Sequence, residues 1–289
     1  MLTTAEILKK VKELEITSKR ITQHLFTGEY HSAFKGRGMS FREVREYDPG
    51  DDVRFIDWNV SARFSHPFTK LFEEERELTV MLLVDVSASS LFGTVHARKK
   101  DIVTEIGAIL TFSAISNNDK VGVIFFSEKV EKYIPPKKGK QHALYIVREL
   151  LTAEPRRKGT KLHEAIRYFN NAVRQKSIAF VLSDFLDDGF AESLKVAGRK
   201  HDVIGIKVYD KMDMELPEVG LIQVSDAETG AVRWIDTGSY NTRQKYQQKF
   251  FTHTEWCKNA FLHAGSDLLH VRTDEDYIKV LQKFFIGRR

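Results

Sequence analysis

The sequence has a single cysteine, Cys257, among its 289 residues, and this excludes an intrachain disulfide. Its uninterrupted apolar runs are a few residues long, far short of the about 20 residues that a membrane-spanning helix needs. The first 15 residues mix both charge signs and lack the apolar core of a signal peptide. We therefore expect a protein of the reducing cytoplasm without a transmembrane segment.

Neither sign of charge is in large excess, since 45 Lys and Arg oppose 40 Asp and Glu to give a net charge of +5. With no binding motif or aromatic platform beside the basic residues, this balance argues against nucleic acid as a partner. Two loops are nonetheless basic, at residues 135–140 and 154–161. Short runs of this kind are usually solvated loop charge. Close to a bound cation, however, they would speed the approach of an acidic protein surface.

Several enzyme classes lack their motifs in this sequence. There is no G-x-S-x-G of an α/β-hydrolase, no G-x-x-x-x-G-K phosphate loop, and no H-E-x-x-H, because residues 163–167 read HEAIR. The stretch DVSAS that begins at Asp85 lacks the second acid of an aspartyl-phosphate phosphatase. His253 and Cys257 are one helical turn apart with His263 beyond, but a helix with a buried Cys is far more common than such a zinc site.

The chain divides into three predicted segments, at residues 1–29, 30–77 and 78–289. The first is an amphipathic helix, because apolar residues recur at helical spacing. The second is a small β extension, with a turn at "YDPGDD" and short strands at "VRFIDWNV" and "HPFTKLF". It mixes arginine with aspartate, which indicates either a recognition surface or, as we favour, an ion-pair network. The residues of this charged set are Arg42, Arg45, Arg54, Asp48, Asp51, Asp52 and Asp57.

The third segment alternates near-continuous apolar strands with helices. This pattern predicts a doubly wound α/β fold, a mostly parallel sheet with helices on both faces. A short strand close behind the second one is expected to pair with it as a hairpin. The main strands are expected at residues 77–85, 120–127, 177–184, 202–210 and 267–272.

Polar residues follow two of these strands and one connecting turn. Asp85, Ser87 and Ser89 end the first strand, Thr160 lies in a Gly-Thr turn, and Asp184 follows Ser183 at a later strand end. In an open α/β sheet, ligands bind beyond the carboxyl ends of strands. Hydroxyl and carboxylate oxygens suit a hard dication such as Mg²⁺, with Mn²⁺ or Ca²⁺ as alternatives. The ordinary alternative is that these are strand-ending and capping residues.

The three elements, in this order, resemble a metal-ion-dependent adhesion site of the von Willebrand factor A-like fold. The resemblance implies that Asp85, Ser87, Ser89, Thr160 and Asp184 hold the metal, and that an Asp or Glu of a protein partner completes its shell. The competing hypothesis is a metal-dependent hydrolase that uses the same cation to activate water. It is weaker, because no general base is apparent near the motif.

The stretch from Gly36 to Ser89, with GRG, REYDPGDDVRFIDW and DVSAS in sequence, is similar to the bacterial domain-of-unknown-function 58 family. That resemblance implies a non-enzymatic adaptor or chaperone component that works with a MoxR-type AAA+ ATPase. Many relatives carry transmembrane segments before this region, and this chain has none. Many also have Met where this chain has Ser90, whose hydroxyl we expect to form a cap or face solvent.

Overall fold

The computed structural model of the protein describes residues 4–25, 40–73, 77–94, 97–155, 157, 159–226 and 230–288. It separates into two compact units, one formed by residues 1–33 and 78–289, and a smaller one formed by residues 34–77. The chain begins with helix α1 (Thr4–Leu25), as its apolar periodicity predicts. This helix belongs to the larger unit.

The smaller unit contains strand β1 (Ser40–Glu46), helix α2 (Trp58–Phe64) and strand β2 (Phe68–Glu73). The two strands pair antiparallel, with Val44 opposite Lys70. The predicted turn is confirmed, since Asp51 N–H donates to the Asp48 carbonyl over 3.0 Å. Gly50 has φ +120° there, a conformation that favours glycine.

The prediction of a strand at "VRFIDWNV" is wrong. Val53–Phe55 form a 3-10 turn, and α2 starts directly afterwards. The cause is Asp57, whose carboxylate accepts the backbone N–H groups of Asn59 (3.0 Å) and Val60 (3.2 Å) as a helix cap. A β-rich composition was therefore overridden by one capping residue.

Ion pairs within the smaller unit link several of its charged residues. Arg45 contacts Asp48 over 2.9 Å and Asp51 over 2.7 Å, and Arg54 contacts Asp52 over 2.6 Å. The side chain of Arg42 lies outside the described residues. These partners are near in sequence and mostly exposed, so they fix local geometry and add little stability.

Every described helix and strand of the larger unit except α1 follows the smaller unit in the chain. In chain order they are β3 (Thr79–Asp85), α3 (Lys99–Ser116), β4 (Lys120–Phe126), β5 (Val130–Lys137), α4 (Lys140–Thr152), α5 (Leu162–Ala172), β6 (Ile178–Ser183), α6 (Ala191–Lys200), β7 (Asp202–Tyr209), α7 (Lys211–Met214), β8 (Leu221–Ser225), β9 (Val232–Asp236), α8 (Tyr240–His263), β10 (Asp267–Arg272) and α9 (Tyr277–Gly287).

Six strands form the central sheet in the order β10-β7-β6-β3-β4-β5. Every neighbouring pair is parallel except β4 and β5, which form the predicted hairpin. The chain proceeds from β3 to β4 on one side and later returns to β6 on the other. The direction of winding thus reverses between β3 and β6, and it is beyond the carboxyl ends of such strands that open α/β sheets bind their ligands. The predicted doubly wound, mostly parallel sheet is confirmed.

Helices cover both faces of this sheet. On one face, α5, α6 and α8 enclose a buried cluster that includes Phe169, Leu194 and Phe261. On the other, Phe285 of α9 packs edge-on against Phe180 of β6, with 6.3 Å between ring centroids. Burial on both faces explains why β3 is apolar from Val80 to Val84, between Thr79 and Asp85.

Helix α1 packs on the outside of this layer. Val11 joins a buried cluster with Phe112 of α3 and Val147 of α4. The apolar stripe read from the sequence is therefore a docking face within the unit. Within the described ranges, no helix combines the length and the apolar composition that crossing a membrane requires.

The larger unit also contains a two-stranded hairpin outside the central sheet. The β8–β9 hairpin was not predicted, because both of its faces are largely exposed and its apolar residues form no buried period. Strand β5 forms one outer edge of the central sheet and carries Pro135 and Pro136. Neither proline has a backbone N–H to donate.

Candidate metal centre

The two predicted site elements that end strands lie side by side. Strands β3 and β6 are neighbours in register, with Val84 opposite Leu182. Asp85 therefore ends its strand beside Ser183, and Asp184 follows at once. All three residues are buried. The parallel sheet brings together carboxylates that are far apart in sequence.

The carboxylate of Asp85 is held by two donors. The backbone N–H of Ser87 donates to Oδ1 over 2.9 Å, and the hydroxyl of Ser183 donates to Oδ2 over 2.6 Å. Burial, and after it the negative charge of Asp184, raise the pKa of the Asp85 carboxyl above its ordinary value. A nearby positive charge would stabilise the ionised form of the Asp85 carboxyl.

Ser87 and Ser89 lie in the turn after β3, where residues Ala88–Leu91 form a 3-10 helix. Their hydroxyl oxygens are 3.0 Å apart. The hydroxyl of Ser90, inside this 3-10 helix, donates to the Ser87 carbonyl over 2.7 Å and is buried, so the expectation that it caps a helix or faces solvent is wrong. The tight turn thus brings the hydroxyls of Ser87 and Ser89 together, while the Ser90 hydroxyl is bonded to a backbone carbonyl.

Asp184 contacts a lysine that the sequence did not single out. The ammonium of Lys99, at the first turn of α3, donates to Asp184 Oδ2 over 2.8 Å and lies 3.3 Å from Asp213 Oδ2. Lys99 is 2% exposed. Burial opposes ionisation of Asp184, but the Lys99 ammonium and a hydrogen bond from Ser89 outweigh it and lower the pKa of this carboxyl. Burial likewise opposes the charge of Lys99, yet the two carboxylates raise its pKa.

Thr160 belongs to a loop at the same edge of the sheet. The N–H of Lys161 donates to the carbonyl of Ser127, directly after β4, over 2.9 Å. The N–H of Leu162 donates to Asp187 Oδ2 over 2.8 Å, and Asp187 belongs to the loop that follows Asp184. Two backbone contacts therefore fix the segment of Thr160 beside the ends of β4 and β6.

The polypeptide around the site is anchored by a third strand-end carboxylate. Asp210, after β7, accepts the Thr94 hydroxyl over 2.6 Å and the Thr273 hydroxyl over 2.8 Å. Burial works against the charge of Asp210, but these donors lower its pKa. The loop that carries Ser87 and Ser89 is thereby tied to the segments after β7 and β10.

Phe185 adds a conformational constraint next to Asp184. Its φ is +53°, in the left-handed region that bulky residues seldom occupy. Its N–H donates to the Ser183 hydroxyl over 3.0 Å, and its buried ring packs edge-on against Phe261 at 5.4 Å. Packing holds the strained turn, and the turn fixes the direction in which the Asp184 side chain leaves the strand.

The two basic loops lie in different places. Lys137 pairs with Val121 at the start of β4, so residues 137–140 lie near the amino ends of the parallel strands, whereas Asp85 lies at their carboxyl ends. Lys140 there contacts Glu15 of α1 over 2.7 Å. By contrast, Lys161 lies at the Asp85 edge through its bond to Ser127. Arg156 and Lys158 lie outside the described residues.

Among the described residues, no third metal ligand lies beside His253 and Cys257, the residues of the alternative zinc site. Cys257 Sγ lies 3.7 Å from His253 Nδ1 and is buried, and burial raises the pKa of its thiol to about 11. His263 is exposed at the end of α8. Across the described part of the chain, no three His, Cys, Asp or Glu side chains cluster as metal ligands.

The donor set at the β3 and β6 ends differs from such a cluster, because it combines two carboxylates with neutral hydroxyls. This chemistry fits a hard dication, for which the buried Asp85, Asp184, Ser87 and Ser89 could supply oxygens. The feature that departs from the expected site is Lys99. Sequence reasoning missed it because it lies in a run of basic residues at a helix start, 85 positions from its partner.

Comparison with known proteins agrees with this architecture. Residues 43–256 match the model of the protein family of unknown function DUF58. An uncharacterised protein of Mycobacterium tuberculosis is 31% identical over 282 residues, covering 96% of this chain and 89% of its own. The YeaD protein of Bacillus subtilis, also uncharacterised, is 32% identical over 110 residues, covering 38% of this chain and 25% of its own.

Two solved structures are similar to the chain at low sequence identity, and the first of them supports the same fold class. An aerotolerance-related membrane protein of Bacteroides fragilis superposes with a TM-score of 0.53 at 17% identity, covering 73% of this chain and 98% of its own. The von Willebrand factor A domain of SpRpn10 superposes with a TM-score of 0.42 at 12% identity, covering 74% and 95%.

Proposed function

The chain belongs to the DUF58 family, and from this premise we propose that it is a divalent-cation-dependent protein-binding module with a von Willebrand factor A-like fold. Asp85, Ser87, Ser89, Thr160 and Asp184 would hold the cation, with Mg²⁺ the expected ion. A cation held mainly by neutral hydroxyls stays electrophilic and attracts an external carboxylate. An Asp or Glu of a partner protein would supply it.

One observation carries this proposal. Asp85 and Asp184 are both buried, at the ends of adjacent strands where the winding of the sheet reverses. Two buried carboxylates beside each other are costly unless positive charge accompanies them. Lys99 supplies one such charge, to Asp184, and the donors to Asp85 are uncharged, so a bound cation would balance the remaining negative charge. A structural role alone does not require them at a ligand-binding crevice.

A binding role is favoured over hydrolysis by the surroundings of the two acids. Asp85 is occupied by Ser87 N–H and the Ser183 hydroxyl, and Asp184 by Lys99. Both carboxylates are thus bonded to groups of the protein and buried. Neither faces solvent, where a general base would accept a proton from water. We therefore propose a non-enzymatic module.

The partner that the family resemblance implies is a MoxR-type AAA+ ATPase, with this chain as an adaptor or chaperone component. The test is capture of partners from the native cell on immobilised protein, with Mg²⁺ and with a chelator in excess. The proposal requires at least one partner that is released by the chelator. Retention of every captured protein in the presence of the chelator contradicts it.

A further inference from the structure

Lys99 is positioned as an internal cation of the candidate site. Its ammonium is buried, 2.8 Å from Asp184 Oδ2. Its helix, α3, packs across the sheet and begins at the carboxyl edge, so the first turn delivers the side chain to the crevice. The ring of Phe92 covers the ammonium at 5.8 Å. The site therefore contains its own positive charge.

A second carboxylate lies within reach of the same ammonium. Asp213 Oδ2 is 3.3 Å from Lys99 Nζ. Asp213 is fixed by the N–H of Asp210, which donates to it over 2.8 Å. Lys99 is therefore shared between one acid that belongs to the candidate metal site, Asp184, and one that does not.

We infer that Lys99 is a tethered competitor of the divalent cation: it neutralises Asp184 until a metal binds, and metal binding moves its ammonium to Asp213. This rests on the proposed function and names the residue that regulates the same site. An ammonium and a dication cannot share one buried carboxylate oxygen without strong repulsion in a poorly solvated place. The affinity of the site for metal consequently depends on how much more favourably the Lys99 ammonium interacts with Asp184 than with Asp213.

A second buried lysine supports this charge balance. Lys207 of β7 lies opposite Ser183 in the sheet, is 1% exposed, and has its ammonium 5.2 Å from the centre of the Phe250 ring. Its field adds to that of Lys99 and further disfavours a dication. Metal binding is thereby coupled to the position of the Lys99 side chain. This coupling lowers the affinity of the site for metal and makes that affinity depend on where the ammonium lies.

The experiment compares metal affinity in the full chain. After dialysis against chelator, wild-type protein and Lys99→Met are titrated with Mn²⁺ and the free ion is followed by electron paramagnetic resonance. Removing the ammonium is expected to tighten Mn²⁺ binding at least about tenfold. Lys195→Met, which removes an exposed lysine of α6, is the matched control and should bind as wild type does.

Lys99→Met leaves two buried acids uncompensated and can fail to fold. The double variant Lys99→Met/Asp213→Asn removes one charge of each sign, and it should also bind Mn²⁺ more tightly than wild type. Asp213→Asn alone should weaken binding, since Lys99 then has no alternative carboxylate. The opposite signs of these two effects separate competition from general loosening of the fold.

The outcomes are distinct. Tight Mn²⁺ binding by the variants that lack Lys99, with weak or undetectable binding by wild type, supports the inference. Equal or weaker binding without Lys99 overturns it and leaves the proposed metal-dependent function standing. Failure of every protein to bind Mn²⁺ overturns the proposed metal dependence as well.

Discussion

Ser183 and Asp85 join the ends of two neighbouring strands, because the Ser183 hydroxyl donates to Asp85 Oδ2 over 2.6 Å while both residues are buried. The bond holds the crevice between β3 and β6 in one geometry. It also places a donor on a carboxylate whose charge burial disfavours.

Removal of this hydroxyl should destabilise the protein. Ser183→Ala deletes the bond to Asp85 and the bond accepted from Phe185 N–H. Loss of a buried bond to a charged group costs about 1–3 kcal/mol of unfolding free energy, measured by urea titration. Ser225→Ala, on an exposed position of β8, is the control and should change it by less than about 0.5 kcal/mol. Equal effects of the two substitutions would refute a structural role for the hydroxyl.

Asp85→Ala should abolish partner binding that depends on Mg²⁺ while the fold persists, because Asp85 is the last residue of β3 and its replacement leaves the buried apolar residues of the strand intact. Ser87 N–H and the Ser183 hydroxyl lose their acceptor, so a fall in unfolding free energy of about 1–3 kcal/mol is expected alongside. Chelator-sensitive capture and circular dichroism measure the two effects. Asp188→Ala removes an exposed acid from the loop after β6 and should leave capture unchanged. Full chelator-sensitive capture by Asp85→Ala would exclude this residue as a ligand.

The non-enzymatic assignment predicts no appreciable turnover. Purified protein with Mg²⁺ or Mn²⁺ should leave generic phosphoester, peptide and ester substrates intact over long incubations. Turnover that persists through purification and disappears in Asp184→Ala would establish the hydrolase alternative instead, because a contaminating enzyme would not respond to that substitution.

Stability should fall on acidification through His201. This histidine is buried, with Nδ1 2.8 Å from the Ser177 hydroxyl, and burial lowers its pKa to about 4. Between about pH 6.5 and pH 4 the unfolded chain binds a proton that the folded protein does not, so stability is lost as pH falls. His201→Gln should therefore lose roughly 2 kcal/mol less than wild type between pH 7 and pH 5. His263→Gln is the control, and identical losses in all three proteins would contradict the prediction.

The basic loop beside Thr160 should accelerate partner association. Joint neutralisation of Arg156, Arg157 and Lys158 is expected to slow association and to flatten its dependence on salt, with a smaller change in dissociation. Joint neutralisation of Lys137, Lys138 and Lys140 removes the same charge from the opposite edge of the sheet and should have a smaller effect. Surface plasmon resonance across a salt series measures both. Equal effects would indicate net charge alone.

Much of the fold was predictable because its signals are local. The middle of a strand such as β3, from Val80 to Val84, is apolar since helices cover both faces of the sheet, and β5 follows β4 too closely for any connection except a hairpin. Helix α2 was missed because a single cap at Asp57 outweighed the β-rich composition around it. The β8–β9 hairpin gave no signal because it buries little.

The candidate site was predictable to the extent that it depends on strand ends. Asp85 and Asp184 each follow a recognisable buried strand, and the rule that ligands bind beyond strand ends brings them together. Lys99 follows no such rule. Its position depends on where α3 begins relative to β6, which is a property of the tertiary packing. A basic residue at a helix start is ordinarily read as solvent-exposed charge.

The proline pair in β5 restricts how other proteins can be recognised. Some binding domains extend their sheet by accepting a foreign strand along an open edge, and main-chain hydrogen bonds then supply the affinity. Pro135 and Pro136 interrupt the donors along the β5 edge, so a continuous added strand would find no regular ladder there. This edge is instead protected from unwanted self-association. Contacts made through side chains at the ends of the strands do not depend on that ladder and remain open to a partner.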